Sequence, residues 1–215
     1  SLLVGGKSIL IMSGIIKVGL FIVLSPIIGL LLGYFIMILT MFVFQRTAPL
    51  KVDHLFRGLQ LVSSAIFSIG HGTNDAQKTM GIISVLLFST GRLGPEFHVP
   101  AWVIIASYSA ISLGTLAGGW KVIKTLGLGL TDLKPVHGFS AETAGAITII
   151  GSSLAGIPVS TTHTITGSIM GVGMTRRLSA VRWGVVGKII AAWVLTIPGT
   201  MAISAGAYYI ISLFL

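Results

Sequence analysis

Cysteine is absent from the sequence, and only 5 of its 215 residues are acidic. The first absence excludes disulfides and removes the usual indicator of redox compartment. The second, with charged residues at 9% overall, excludes an ordinary soluble domain, where about a quarter of residues carry charge. Hydrophobic residues make up 53% of the chain, in long runs that do not alternate with period two. That pattern argues against a transmembrane barrel and for an all-α integral membrane protein. No methionine opens the sequence, and no basic n-region leads into a cleavage site. The chain is therefore expected to be processed or to be part of a longer polypeptide.

Charge of the opposite sign is plentiful: 14 Lys and Arg give a net charge of +9. Nine of them fall in three connecting stretches, which are Arg46, Lys51 and Arg57, then Lys121, Lys124 and Lys134, then Arg176, Arg177 and Arg182. No aromatic-interleaved basic face accompanies them, so nucleic acid is not the expected partner. Basic connections beside apolar runs are the positive-inside signature, and all three are expected on the cytoplasmic side.

About six membrane segments follow from the apolar runs. Residues 1–57 hold the N-terminal helices. A run over 7–24 containing Lys7 and Lys17 is either a span or a shorter interfacial helix, and a clear span then starts with Pro26 in its first turn and ends at Gln45. Residues 58–90 read as a broken helix, because Gly70-His71-Gly72-Thr73-Asn74-Asp75 interrupts an apolar stretch, and Thr73, Asn74 and Asp75 suit the cap of a new helix near Ala76. Gly91 to Pro100 is expected outside, and 101–118 is a second clean span with Trp102 and Trp120 at its ends. Residues 138–175 are interrupted by Gly156 to His163 and flanked by basic residues on both sides. This predicts a re-entrant helical hairpin with its tip near the midplane, one tilted span being the alternative. Residues 183–215 form C-terminal helices, either one helix kinked at Pro198 or two spans.

A carboxylate in hydrocarbon costs several kcal/mol unless paired or hydrated, which singles out Asp75 and Glu142 from the loop acids. A structural pair of Asp75 with Lys78, one turn later, is the plainer alternative; Lys78 is otherwise a candidate anion contact or a snorkelling side chain. His71 and His163 read first as hydrogen-bonded packing elements. No histidine spacing supports a transition-metal site, and no nucleophile elbow supports a hydrolase. Ser160, Thr161 and Thr162 follow Pro158 at the start of a helix. They are ordinary caps, or, with free backbone N–H groups and the helix dipole, a site for a tetrahedral oxyanion. Oxygens from Asn74, Asp75 and Glu142 suit Na⁺, or the carboxylates carry a proton. An anion site beside a cation site on interrupted helices is the layout of a secondary symporter.

Taken together, His71-Gly72-Thr73-Asn74-Asp75 with Gln77, Lys78, Met80 and Gly81, and Gly138-Phe139 with Glu142 followed by Pro158-Val159-Ser160-Thr161-Thr162-His163, resemble the inorganic phosphate transporter (PiT) family. Phe56-Arg57, Leu59-Gln60, Gly118-Gly119 and Val181-Arg182-Trp183 extend the likeness over residues 20 to 205. The family carries each motif twice, in two inverted-topology halves, and this chain resembles the C-terminal half. The resemblance implies a phosphate symporter of the plasma membrane, multi-pass, working by alternating access without an enzymatic cofactor. Na⁺ is the expected coupling ion and H⁺ the alternative; another tetrahedral anion such as sulfate, or a passive channel, are the rival readings. By this likeness Asp75, Ser160, Thr161 and Thr162 hold phosphate, while Asn74, Asp75 and Glu142 hold Na⁺. Thr73, His71, Lys78 and His163 are additional candidates. The implied partners are phosphate, the lipid bilayer, the N-terminal half as a separate chain or missing segment, and, left open, a homodimer.

Overall fold

Among the described residues, 11–213 of the computed structural model, regular structure is entirely helical. The elements are α1 (Met12–Phe44), α2 (Pro49–Ser89), α3 (Ala101–Ile123), α4 (Pro135–Leu154), α5 (Thr161–Met174) and α6 (Trp183–Ser212). At its C-terminal end α3 passes into a wider π-type turn, Lys124–Leu128, so this helical stretch outruns the expected 101–118 span.

α4 and α5 form an antiparallel hairpin at the centre. α4 starts with Pro at its first position and closes on Gly156, whose φ of +63° only glycine adopts without strain. Ile157 N donates to Ser152 O (2.9 Å) and Gly156 N to Ser153 O (3.0 Å), the paired bonds that satisfy a helix's last carbonyls. Pro158 then prevents continuation, and Ser160 caps α5 by accepting from His163 N at 3.4 Å. Gly145 of α4 faces Ile165 of α5, and Ala141 shares a buried cluster with Ile169 nearer the open end. That end is tied together by Arg182 N donating to Leu130 O at 2.9 Å, so the chain enters and leaves the hairpin on one side, as the flanking basic stretches predict. The arms are unequal rather than both half-length: 20 residues in α4 and 14 in α5, or about 30 Å and about 21 Å.

α1 lies parallel to α5 with the two backbones in contact. Gly29 and Gly33 of α1 face Thr164 and Ser168, while Gly167 and Gly171 of α5 face the carbonyls of Pro26 and Leu30; a Cβ at any of the four would collide. Small residues four apart on both helices permit this approach, which in lipid must be held by van der Waals contact. The hydroxyls trapped there bond to their own helices, Thr164 to Ser160 O (2.9 Å) and Ser168 to Thr164 O (3.0 Å).

Two sequence expectations are corrected by these helices. The runs before and after Pro26 are one helix of 33 residues, with Pro26 in its interior rather than its first turn; positions 7–10 lie outside the described residues. Pro26 leaves the Ile22 carbonyl without its helical donor, and the His163 ring supplies one at 3.3 Å, which is how lipid-buried backbone tolerates proline. Likewise α2 is not broken at Gly70–Asp75: it runs unbroken for 41 residues. His71, Asp75 and Lys78 recur at helical spacing and share one face, so a partner surface on that side can bond Asp75 and Lys78 without a break in the helix.

α2 lies along α4, with Phe56 edge-on to Phe139 (5.2 Å), Phe67 over Gly145 and Gly70 against Ile150. α3 packs its buried Val103 on Ala76 and Met80 of α2. α6 is one helix through Pro198, returning past α5 with Val186 buried and Trp193 stacked on His163 at 3.7 Å. α1, the α3 stretch to Gly129, and α6 are the three described helices long and apolar enough to cross a membrane. Their outer faces carry Phe35, Phe42, Ile105, Leu116 and Leu195 exposed, as a lipid-facing surface requires.

Candidate functional site

The polar stripe of α2 meets the hairpin where the chain turns from α4 into α5. Asn74 is buried and donates from Nδ2 to Asp75 Oδ1 and to the Val159 carbonyl, both at 3.1 Å. Lys78 Nζ donates to the same two oxygens, also at 3.1 Å each. The other oxygen of Asp75, Oδ2, accepts from Thr161 Oγ1 at 3.1 Å. His71 Nδ1 stands 3.5 Å from Oδ2, beyond a hydrogen bond, with its ring stacked on Phe67. One carboxylate thus links the α2 stripe to the first residue of α5. The Asp75–Lys78 pair weighed from the sequence is present, and it extends to the turn backbone.

The amides of Thr161 and Thr162 open α5 and have no partner among the described residues. With the positive end of the helix dipole behind them, they present donors toward a cavity of 370 Å³ lined by Asp75, Lys78, Ser160, Thr161 and Thr162. A second cavity, 740 Å³, lies between α2, α3 and the hairpin and reaches Glu142, His71 and Gln60. Thr161 and Thr162 line both cavities and so form the wall between them.

Glu142 stands apart from Asp75. Its two carboxylate oxygens accept from Ser63 (2.6 Å) and Ser64 (2.8 Å). Ser64 precedes Asp75 by 11 positions on an unbroken helix, which sets the two carboxylates roughly 16 Å apart along its axis. One cation cannot bridge Asn74, Asp75 and Glu142 together. The expected shared site is corrected to two separate carboxylate positions, because an unbroken α2 carries them to different levels.

The remaining candidates sort by contact. Thr73 bonds its own helix at Ile69 O (2.7 Å) and takes no part in the cluster. Ser160 caps α5 with its hydroxyl. Thr162 is exposed to both cavities. His163 is the packing element anticipated, bound to Ile22 O and stacked on Trp193. Sequence reasoning missed the Val159 carbonyl, which only a folded turn can aim, and the Ser63 and Ser64 partners of Glu142. The signal for the serines was in view: adjacent hydroxyls about three turns before Asp75, at a point where an apolar helix has no need of them.

At the hairpin's open end the three basic stretches converge. Arg176 lies 4.0 Å from Asp132, Arg182 Nη1 donates to Leu128 O at 2.8 Å, and Asp53 and Lys134 line one hollow with Thr47.

Residues 43–204 match the family model described as "Phosphate transporter family". The chain is 53% identical over 204 residues to a protein of Rhizobium meliloti (strain 1021) named "Probable low-affinity inorganic phosphate transporter", covering 95% of this chain and 61% of that one. It is 40% identical over 200 residues to a Bacillus subtilis (strain 168) protein of the same name, covering 93% of this chain and 60% of that one. The chain therefore spans about 60% of the length of these curated relatives. A solved structure titled "The sodium-dependent phosphate transporter" superposes with a TM-score of 0.82 at 24% identity, covering all of this chain and 70% of the other. At that identity the likeness concerns the fold.

Proposed function

The chain belongs to the phosphate transporter family, and from that premise we propose that it forms the C-terminal half of a Na⁺-coupled inorganic phosphate symporter in the plasma membrane. The family and the relatives are transporters, not enzymes. In this reading α4 and α5 form a re-entrant hairpin, the three basic stretches face the cytoplasm, and a second, inverted half completes the substrate site. That half is a further segment of the same polypeptide or a separate chain.

The observation that carries the reading is the contact of Asp75 with Thr161 beside two α5 amides that have no partner among the described residues. Phosphate is held by the Thr161 and Thr162 amides and the Thr162 hydroxyl, and by the Thr161 hydroxyl when it turns its single proton from Asp75 to the substrate. The Asp75 carboxylate, the Val159 carbonyl and the Asn74 side chain hold the cation. Bare Asp75 would repel the substrate: like charges at ~4 Å with an effective dielectric near ~20 cost about 4 kcal/mol. Lys78 offsets that cost in the structure, and a cation added on Asp75 leaves the cluster with a net positive charge, so phosphate and cation enter together. Glu142, facing the larger cavity, provides a second carboxylate on the route toward the basic end.

The test is uptake into proteoliposomes carrying the intact transporter that contains this chain. Phosphate accumulation above the external concentration, driven by an inward Na⁺ gradient, is expected. Accumulation driven only by a proton gradient reassigns the coupling ion to H⁺, and uptake that merely equilibrates makes the protein a channel. Competition by sulfate equal to that by phosphate would overturn the substrate assignment.

A further inference from the structure

Lys78 is 46% exposed on α2, and its ammonium sits on the oxygens that the symporter reading assigns to the coupling cation. Nζ bonds one carboxylate oxygen, Asp75 Oδ1, and one backbone carbonyl, Val159 O, each at 3.1 Å. Carboxylate, turn carbonyl and side-chain amide are the oxygen donors that a hard monovalent cation takes at an interrupted helix. Asn74 reaches the same two oxygens through Nδ2. Turned over, its amide presents an oxygen there instead. The side chains are 46% exposed for Lys78 and 30% for Asp75, so the ammonium can leave without unpacking the helix. Both residues border the cavity that contains the start of α5.

We infer that Lys78 is a tethered place-holder for the coupling cation: it occupies the Asp75–Val159 oxygens when the ion is absent, and the arriving ion displaces it toward the phosphate position at Thr161 and Thr162. This rests on the symporter reading above and gives it an order of events. With Lys78 on Asp75 the cluster is neutral and offers an anion little. Entry of one cation makes it positive by one charge and frees an ammonium for the phosphate oxygens. The lysine thereby couples the two ligands, because each cation bound releases one donor for the anion.

The experiment measures Na⁺ binding, without and with inorganic phosphate, to the purified intact transporter and to Lys78→Met and Lys78→Arg variants. Lys78→Met removes the competitor, so its Na⁺ affinity without phosphate should rise about tenfold, the scale of a lost hydrogen-bonded ion contact. Its phosphate affinity at saturating Na⁺ should fall by about the same factor, since that contact has lost its donor. Lys78→Arg keeps a tethered cation and should bind Na⁺ no more tightly than wild type. Na⁺ affinity that is unchanged or weaker in Lys78→Met, while wild type binds Na⁺, overturns the place-holder and leaves a structural ion pair. If Lys78→Met does not fold, tighter Na⁺ binding by Lys78→Arg than by wild type overturns it equally. A wild-type transporter that binds no Na⁺ overturns the parent reading, and this inference with it.

Discussion

Replacing Thr161 by valine keeps the β-branched shape at a residue only 3% exposed and deletes one hydroxyl. That hydroxyl is the direct side-chain bond between α5 and Asp75, at 3.1 Å. Hydrogen bonds to charged groups contribute about 1.5–3 kcal/mol, and the lower end applies here because Asp75 is 30% exposed and water can take the vacated place. About 1.5 kcal/mol corresponds to roughly tenfold in a binding constant. Val159 O keeps its bonds to Asn74 and Lys78, or the cation that takes their place, so the hairpin tip stays docked and the loss should appear in substrate affinity rather than in folding. The assay is the concentration dependence of phosphate uptake at saturating Na⁺ in the intact transporter. KM should rise about tenfold in Thr161→Val and stay near wild type in Thr161→Ser, which keeps the donor. An unchanged KM in the valine variant would refute the reasoning and return Thr161 to capping alone.

Asp75→Asn should abolish Na⁺-driven accumulation while the protein keeps its elution profile in detergent; retained Na⁺ dependence would remove Asp75 from the cation site. Glu142→Gln should alter the cation dependence of uptake yet hold phosphate KM within about threefold, because sites separated by more than about 10 Å act nearly independently; a large KM change would mean the two positions share a ligand. Gly72 has open space around a Cβ and sits inside an unbroken helix, so Gly72→Ala should be neutral or stabilising by about 0.5–1 kcal/mol in thermal denaturation. A clear loss of stability would restore the broken helix. Gly167→Ala places a Cβ against the Pro26 carbonyl and should cost about 1–3 kcal/mol, read as a lowered Tm, unless α1 and α5 are less closely packed than described.

Much of the fold was legible because lipid imposes strict rules on sequence. Three helices are apolar for about the length of a bilayer, and the basic stretches, partly in connections and partly in the adjoining helix ends, gather at one end of the hairpin. Gly156, Pro158 and Ser160 spell the end of one helix and the start of the next, a local matter of φ and caps that needs no tertiary partner. Gly70 and Gly72 do not break the helix, because glycine costs a helix only about 0.5–1 kcal/mol and the contacts of a 41-residue helix outweigh that. At Gly70 the missing side chain makes room for Ile150 of α4, and the hairpin bonds the adjoining Asn74, Asp75 and Lys78.

The sequence by itself determined that the chain is helical and built for a membrane. It also determined that Asp75, Glu142 and the Ser160–Thr162 hydroxyls need an explanation there, since composition and the cost of charge in hydrocarbon depend on residue type alone. Only the tertiary structure decided that Asp75 meets Thr161 while Glu142 meets Ser63 and Ser64 at another level. It alone placed Lys78 on a turn carbonyl 81 positions away in the chain. Such pairings follow from how an unbroken α2 lies along α4, and helix register between distant segments is set by packing that no single stretch encodes.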